Sequence, residues 1–271
     1  MTIFQAQDVT VSVNGPQGEK KLLQNLSLTL EKGEILGLTG PSGAGKSLTA
    51  LAFSGLIDPP LAWTDGCIVL DGCRITPSTP QNWNCQRGRG AFLIFQSPAS
   101  ALNPALKIKT QMEEALQKVK RLSITKARKE IECLLLKVGL PPQTAEYYPF
   151  QLSGGMRQRV LIAVALGLQP KVIIADEPTS GLDPICQEEV IQNLCLLQND
   201  LGTALVILSH DLRLFGKIAH RTGILYEGCL VELKETKKLL QAPAHPWTRT
   251  LVKSLATLRS SYENFSFDRI G

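Results

Sequence analysis

No window of this chain holds the roughly 18 consecutive apolar residues that a membrane span needs. Its first residues, Met1-Thr2-Ile3-Phe4-Gln5-Ala6-Gln7-Asp8, lack the basic start and apolar stretch of a secretion signal. The seven cysteines form an odd, scattered set with no Cys-x-x-Cys pair, which suits reduced thiols in the cytoplasm rather than a disulfide framework. Cys67, Cys73 and Cys85 lie nearest one another, but their spacing fits no standard zinc pattern. Basic residues are not gathered into one patch, and a net charge of +5 is modest, so nothing points to a nucleic-acid partner. Internal repeats and low-complexity tracts are absent, and no heptad pattern runs beyond a few turns.

What remains is a sequence built to fold. Over 271 residues, 44% are hydrophobic and 20% charged, enough for one large domain, or one domain with a sizeable insertion, around a full core. Val9-Thr10-Val11-Ser12-Val13 alternates, as does Leu22 through Leu30 beyond a polar turn at Gly15-Pro16-Gln17-Gly18; both read as strands. Glu34 through Thr39 reads as a short buried strand, and Cys67-Ile68-Val69-Leu70 as another with Asp71-Gly72 as its turn. Two apolar stretches, Leu48–Ile57 and Val160–Leu168, end at Asp58-Pro59-Pro60 and Gln169-Pro170-Lys171 and read as buried helices.

From about Asn103 to Ala165 the pattern becomes helical. Met112, Ala115, Leu116 and Val119 share one face, as do Ile131, Leu134, Leu135 and Val138. Lys171 through Asp176 and Ala204 through Leu208 then read as buried parallel strands joined by a helix from about Pro184 to Leu201 in a right-handed βαβ unit. Ile224-Leu225-Tyr226 and Leu230-Val231-Glu232 flank Glu227-Gly228 as a hairpin.

Three runs carry chemistry. Gly40-Pro41-Ser42-Gly43-Ala44-Gly45-Lys46-Ser47 matches the phosphate-loop pattern G-x-x-x-x-G-K-[ST] between an expected strand and an expected helix. Its glycines let backbone N–H groups wrap phosphates, Lys46 reaches the β and γ phosphates, and Ser47 offers its hydroxyl to Mg²⁺. The helix that continues through Leu48 adds its positive N-terminal end. The loop therefore implies a bound nucleoside triphosphate. Asp176-Glu177 closes an apolar strand: Asp176 can orient the water shell of Mg²⁺ and Glu177 can take a proton from an attacking water, although an acidic pair there also serves as a helix cap. Leu152-Ser153-Gly154-Gly155-Met156, preceded by Gln151, presents a hydroxyl and bare N–H groups at a helix start, either an anion site or a plain N-cap.

Together these runs resemble the ATP-binding cassette, the motor subunit of ABC transporters, and the resemblance covers most of the chain. Gln96, after Ala91-Phe92-Leu93-Ile94-Phe95, stands where such cassettes have the Q-loop glutamine. Ser180-Gly181-Leu182-Asp183 resembles the D-loop, and Ser209-His210-Asp211 the switch histidine. The resemblance implies an α/β P-loop NTPase with a parallel-sheet core over 1–98 and 166–241, an N-terminal antiparallel β subdomain, an inserted helical subdomain over 99–165 carrying the signature, and a C-terminal extension over 242–271. It implies ATP and Mg²⁺ as cofactors, with Gly40 through Leu48 around the phosphates, Ser47, Gln96 and Asp176 at the metal, and a catalytic set of Glu177 as base, Gln96 also at the water and His210 at the γ-phosphate.

It also implies a head-to-tail pair with a second cassette, identical or paralogous, in which Ser153-Gly154-Gly155 of each closes on ATP held by the other and Asp183 touches the partner. Two transmembrane permease subunits and an extracytoplasmic solute-binding protein complete such a machine, with the cassette peripheral on the cytoplasmic face of the inner membrane. A groove between the helical subdomain and the Q-loop receives a permease helix. One departure concerns the base: the position where many cassettes stack adenine on an aromatic ring is occupied by Val13.

Three stretches narrow the resemblance to the peptide and nickel importer group: Phe95 through Pro104, Tyr148-Pro149-Phe150-Gln151, and Ala242 through Leu251, where Trp247 replaces the group's usual Tyr in a His-Pro-Tyr-Thr segment. That last stretch also reads simply as a proline-started helix packed on the core. Peptide-type cassettes usually carry a longer, cysteine-containing tail, whereas this chain has no cysteine beyond Cys229. The expectation is therefore an importer ATPase serving uptake of nickel or a nickel complex, with a di- or oligopeptide importer ATPase as the alternative and a soluble non-transport ABC ATPase as the remaining rival.

Overall fold

The computed structural model describes residues 1–15 and 18–255. Two sheets and a helical layer pack around two apolar clusters. The chain opens with two long strands, β1 (Thr2–Gly15) and β2 (Gly18–Glu31), paired antiparallel from Thr2↔Glu31 to Gly15↔Gly18. The expected turn residues Pro16 and Gln17 lie outside the described residues. Then follow β3 (Ile35–Thr39), α1 (Lys46–Ser54), β4 (Leu61–Leu70), β5 (Cys73–Ile75), α2 (Trp83–Gln86), β6 (Ala91–Ile94), α3 (Pro98–Ala101), α4 (Ile108–Lys120) and α5 (Ile124–Lys137). The second half contributes α6 (Gly154–Leu168), β7 (Val172–Asp176), α7 (Pro184–Leu201), β8 (Ala204–Leu208), α8 (Leu212–Ile218), β9 (Arg221–Tyr226), β10 (Cys229–Glu235) and α9 (Thr236–Gln241). A further helix runs from 246 through 255.

Several elements depart from their expected bounds. The first two strands are 14 residues each, because register shifts at Ala6/Val9 and Val9/Val11 interrupt the alternation that marks a strand. The strand expected at Cys67–Leu70 begins at Leu61; its first half, Leu61 to Gly66, is exposed to half-buried and pairs with β1 without a marked apolar run. The helix expected through Ile57 stops at Ser54, with Gly55 in the left-handed region as its cap. The short helices α2 and α3 carry no readable period.

The first sheet is ordered β2-β1-β4-β5 and is antiparallel throughout. The second is ordered β10-β9-β3-β8-β7-β6; β3, β6, β7, β8 and β9 run parallel and β10 joins antiparallel at the edge. Its middle strands are buried on both faces, which explains their unbroken apolar runs. Alternation along them divides the core. Leu36, Leu38, Val172, Ile174, Val206 and Leu208 face the antiparallel sheet and α1. Ile35, Ile173, Ala175, Leu205 and Ile207 face the helices α4 to α8. Gly37 is required on that second face, since a Cβ there would lie 2.6 Å from the Phe215 ring of α8.

The expected helical faces form: Met112 and Leu116 of α4 pack with Ile131, Leu134 and Leu135 of α5 against α6 in the helix-side cluster. No helix among the described residues is long and apolar enough to cross a membrane. All seven cysteines are free thiols, and no group of three or more His, Cys, Asp or Glu among the described residues is placed to hold a metal.

Candidate functional site at the carboxyl ends of the strands

The carboxyl ends of β3, β7, β8 and β6 deliver, in turn, the phosphate loop, Asp176-Glu177, Ser209-His210 and Gln96 to one edge of the parallel sheet. Open α/β sheets place their ligands at this edge. The loop after β3 is held by close backbone approach: a Cβ on Gly40 would lie 2.1 Å from the Leu225 carbonyl oxygen, and Gly228 N–H donates to Ala44 O at 3.2 Å. Gly43 and Gly45 have φ of 79° and 96°, open to glycine at little cost. Gly45 caps α1 without any side-chain hydrogen bond, so the first amides of that helix stay available to an anion. Lys46 Nζ donates to Gly40 O at 2.8 Å and Pro41 O at 3.0 Å, folded back along the loop it would leave to meet a phosphate.

At the end of β7, Asp176 is only 7% exposed and its Oδ1 has no hydrogen-bond partner among the described residues. Burial raises its pKa, and the Glu177 charge adds to this; the Ser47 hydroxyl and the Lys46 ammonium oppose the rise. An orphaned carboxylate oxygen beside a phosphate-loop hydroxyl fits a hard divalent cation with oxygen ligands. Glu177 adopts φ 46°, uncommon for a residue with a side chain, and is 8% exposed. Its carboxylate lies 3.0 Å from His210 Nδ1 through both oxygens, accepts the His210 backbone N–H at 3.1 Å and the Ser209 hydroxyl at 3.3 Å. The glutamate and the histidine are thus one unit.

A cleft of about 490 Å³ opens here. Gly40, Pro41, Ser42, Gly43, Lys46, Ser47, Gln96, Glu177 and His210 line it, all singled out from the sequence. Ser180, Trp247 and Leu251 line it too. Ser180 belongs to a run noticed for its neighbour Asp183; the other two arrive by tertiary packing that no local spacing encodes. Ala44 and Leu48 sit behind the loop, buried and half-buried.

The remaining expected site residues are elsewhere. Ser153 is the N-cap of α6, its Oγ accepting the Met156 N–H at 3.2 Å. Gly154 and Gly155 begin that helix near Leu182 and Cys186, and none of the three lines the cleft. Asp183 is the N-cap of α7, accepting from Ile185 and Cys186 N–H at 3.1 and 3.0 Å, which lowers its pKa. Within one chain, both groups work as helix caps. Val13, half-buried in β1, also lies outside the cleft.

A family model described as ABC transporter matches residues 23–180, more than half of the chain. The chain belongs to the ABC transporter family. Its fold is that of the ABC cassette: the dimeric structure of MJ0796, a bacterial ABC transporter cassette, matches with a TM-score of 0.76 at 28% identity, covering 86% of this chain and 98% of that one. The same cassette in a dimeric post-hydrolysis state, bound to ADP and Pi, matches with a TM-score of 0.75. Among curated relatives, the oligopeptide transport ATP-binding protein OppD of Bacillus subtilis is 36% identical over 264 residues, 96% of this chain and 74% of the relative. The dipeptide transport ATP-binding protein DppD of Escherichia coli is 32% identical over 268 residues, 98% of this chain and 82% of the relative. This ABC cassette is therefore an ATPase domain.

Proposed function

We propose that this cassette is the ATP-hydrolysing subunit of a di- or oligopeptide importer, bound peripherally to separate permease subunits at the cytoplasmic face of the membrane. The observation that carries the substrate class is the similarity to oligopeptide and dipeptide transport ATP-binding proteins along more than nine-tenths of the chain. These relatives support the peptide alternative over the nickel reading that the tail suggested.

In the proposed reaction Lys46 leaves the Gly40 and Pro41 carbonyls for the β and γ phosphates, while loop amides and the open start of α1 hold the same oxygens. Ser47, Asp176 and Gln96 hold Mg²⁺, which when bound neutralises phosphate charge. Glu177 takes a proton from the attacking water as its oxygen bonds to the γ-phosphorus, the bond to the β-phosphate oxygen breaks, and ADP and inorganic phosphate leave. His210 holds the Glu177 carboxylate in place and meets the γ-phosphate. Ser153, Gly154 and Gly155 serve a second cassette's ATP, and Asp183 lies on the shared face; the dimeric MJ0796 cassette supports this arrangement.

A second groove of about 680 Å³ supports a permease docking site between the core and the helical subdomain, divided as 1–98 with 166–241 against 99–165. Arg87, Arg89 and Phe95 line one side and Lys118, Val119 and Arg121 the other, and Phe95 adjoins Gln96 of the nucleotide cleft. Uptake of a labelled dipeptide and of radiolabelled nickel, at limiting concentration in cells with and without this gene, tests the substrate class. The expected result is loss of peptide uptake alone; loss of nickel uptake alone would return the chain to the nickel branch.

A further inference from the structure

The stretch from Ala242 to Leu251 stands out in the sequence for its group resemblance, yet it takes no part in the proposed reaction. It is firmly anchored. The Glu232 carboxylate on β10 accepts the backbone N–H groups of Ala244 at 2.8 Å and His245 at 3.0 Å, just ahead of the helix that begins at residue 246. The His245 ring packs on Tyr226 with centroids 5.3 Å apart, and Thr248 is fully buried. Leu251, Val252 and Leu255 pack on the helix-side core. With Thr248 turned inward, Trp247 and Leu251, four residues apart and so on one helical face, are presented to the cleft. They share its lining with Ser42, Lys46, Gln96, Glu177 and His210, which the proposed reaction places towards the phosphates of ATP. The Trp247 side chain is half-buried, and its indole N–H has no hydrogen-bond partner among the described residues.

We propose that Trp247 is a nucleotide-specificity residue, its indole N–H donating to the terminal phosphate of ATP while Leu251 closes the same wall against water. The inference rests on the reading of this cleft as the ATP site. An indole N–H bonds a phosphate oxygen as a charge-assisted donor, and it acts only on a nucleotide that reaches this end of the cleft. Trp247 therefore sets the preference for triphosphate over diphosphate.

The test is calorimetric binding of ADP and of a non-hydrolysable ATP analogue, with Mg²⁺, to the full chain and to Trp247→Phe, Trp247→Ala and Lys46→Ala. Trp247→Phe keeps an aromatic wall and loses the donor. The expected result is about a tenfold loss of analogue affinity in both Trp247 variants with ADP affinity unchanged, the unchanged ADP binding also showing that they fold. An unchanged ratio of the two affinities, or an equal loss for both nucleotides, would overturn the proposal. Tighter analogue binding would also overturn it, by making the helix a cover over the site. If the unmodified chain binds neither nucleotide, or if Lys46→Ala binds both as the wild type does, it is the reading of the cleft itself that fails.

Discussion

Glu232 shows how much a single side chain can carry far from the reacting atoms. Burial pushes its carboxyl up, but the Lys234 ammonium, the His245 and Ala244 amides and the Thr248 hydroxyl outweigh burial and hold it at about 2. Its folded pKa lies below its unfolded value, so the stabilisation is present in full above the ordinary glutamate range and lost as the pH falls towards 2. Glu232→Gln is therefore expected to destabilise the chain by roughly 2 kcal/mol at neutral pH, with the gap from wild type closing below about pH 4. Urea midpoints of the two proteins across that range measure it. Glu177 and His210 were each legible from the sequence as single residues at strand ends. Their direct pairing at 3.0 Å was not, because it depends on β7 and β8 lying side by side.

Whole elements divide by whether their signal is local. The βαβ unit of β7, α7 and β8, and the strand–loop–helix of β3 and α1, were readable because buried parallel strands are continuous apolar runs and glycines mark the phosphate loop. The long first hairpin was only half readable. Asp8 and Asn25 adopt positive φ of 51° and 49° where the register shifts, and buried Thr10 and Ser12 break the apolar count. The signature and D-loop residues were readable as helix starts, and caps are what a single chain makes of them. Asp183→Ala should lower stability through its lost bonds to Ile185 and Cys186, measurable by denaturation of the isolated chain. A loss in ATP turnover alone, with stability unchanged, would mean the cap is not what Asp183 provides.

At the scale of the molecule, the proposed mechanism gives one cassette two halves of two different sites. The phosphate loop, Glu177 and His210 share one cleft, while Ser153-Gly154-Gly155 lies outside it at the start of α6. Under the proposed mechanism each half is completed only by a second cassette, with ATP bound between them, and turnover opens the pair. Glu177→Gln in the assembled importer tests this most directly, with ATP hydrolysis and the nucleotide retained after gel filtration read together. The expected result is that hydrolysis is abolished, that unhydrolysed ATP stays bound, and that the two cassettes remain closed on it. Hydrolysis at the wild-type rate would contradict the mechanism.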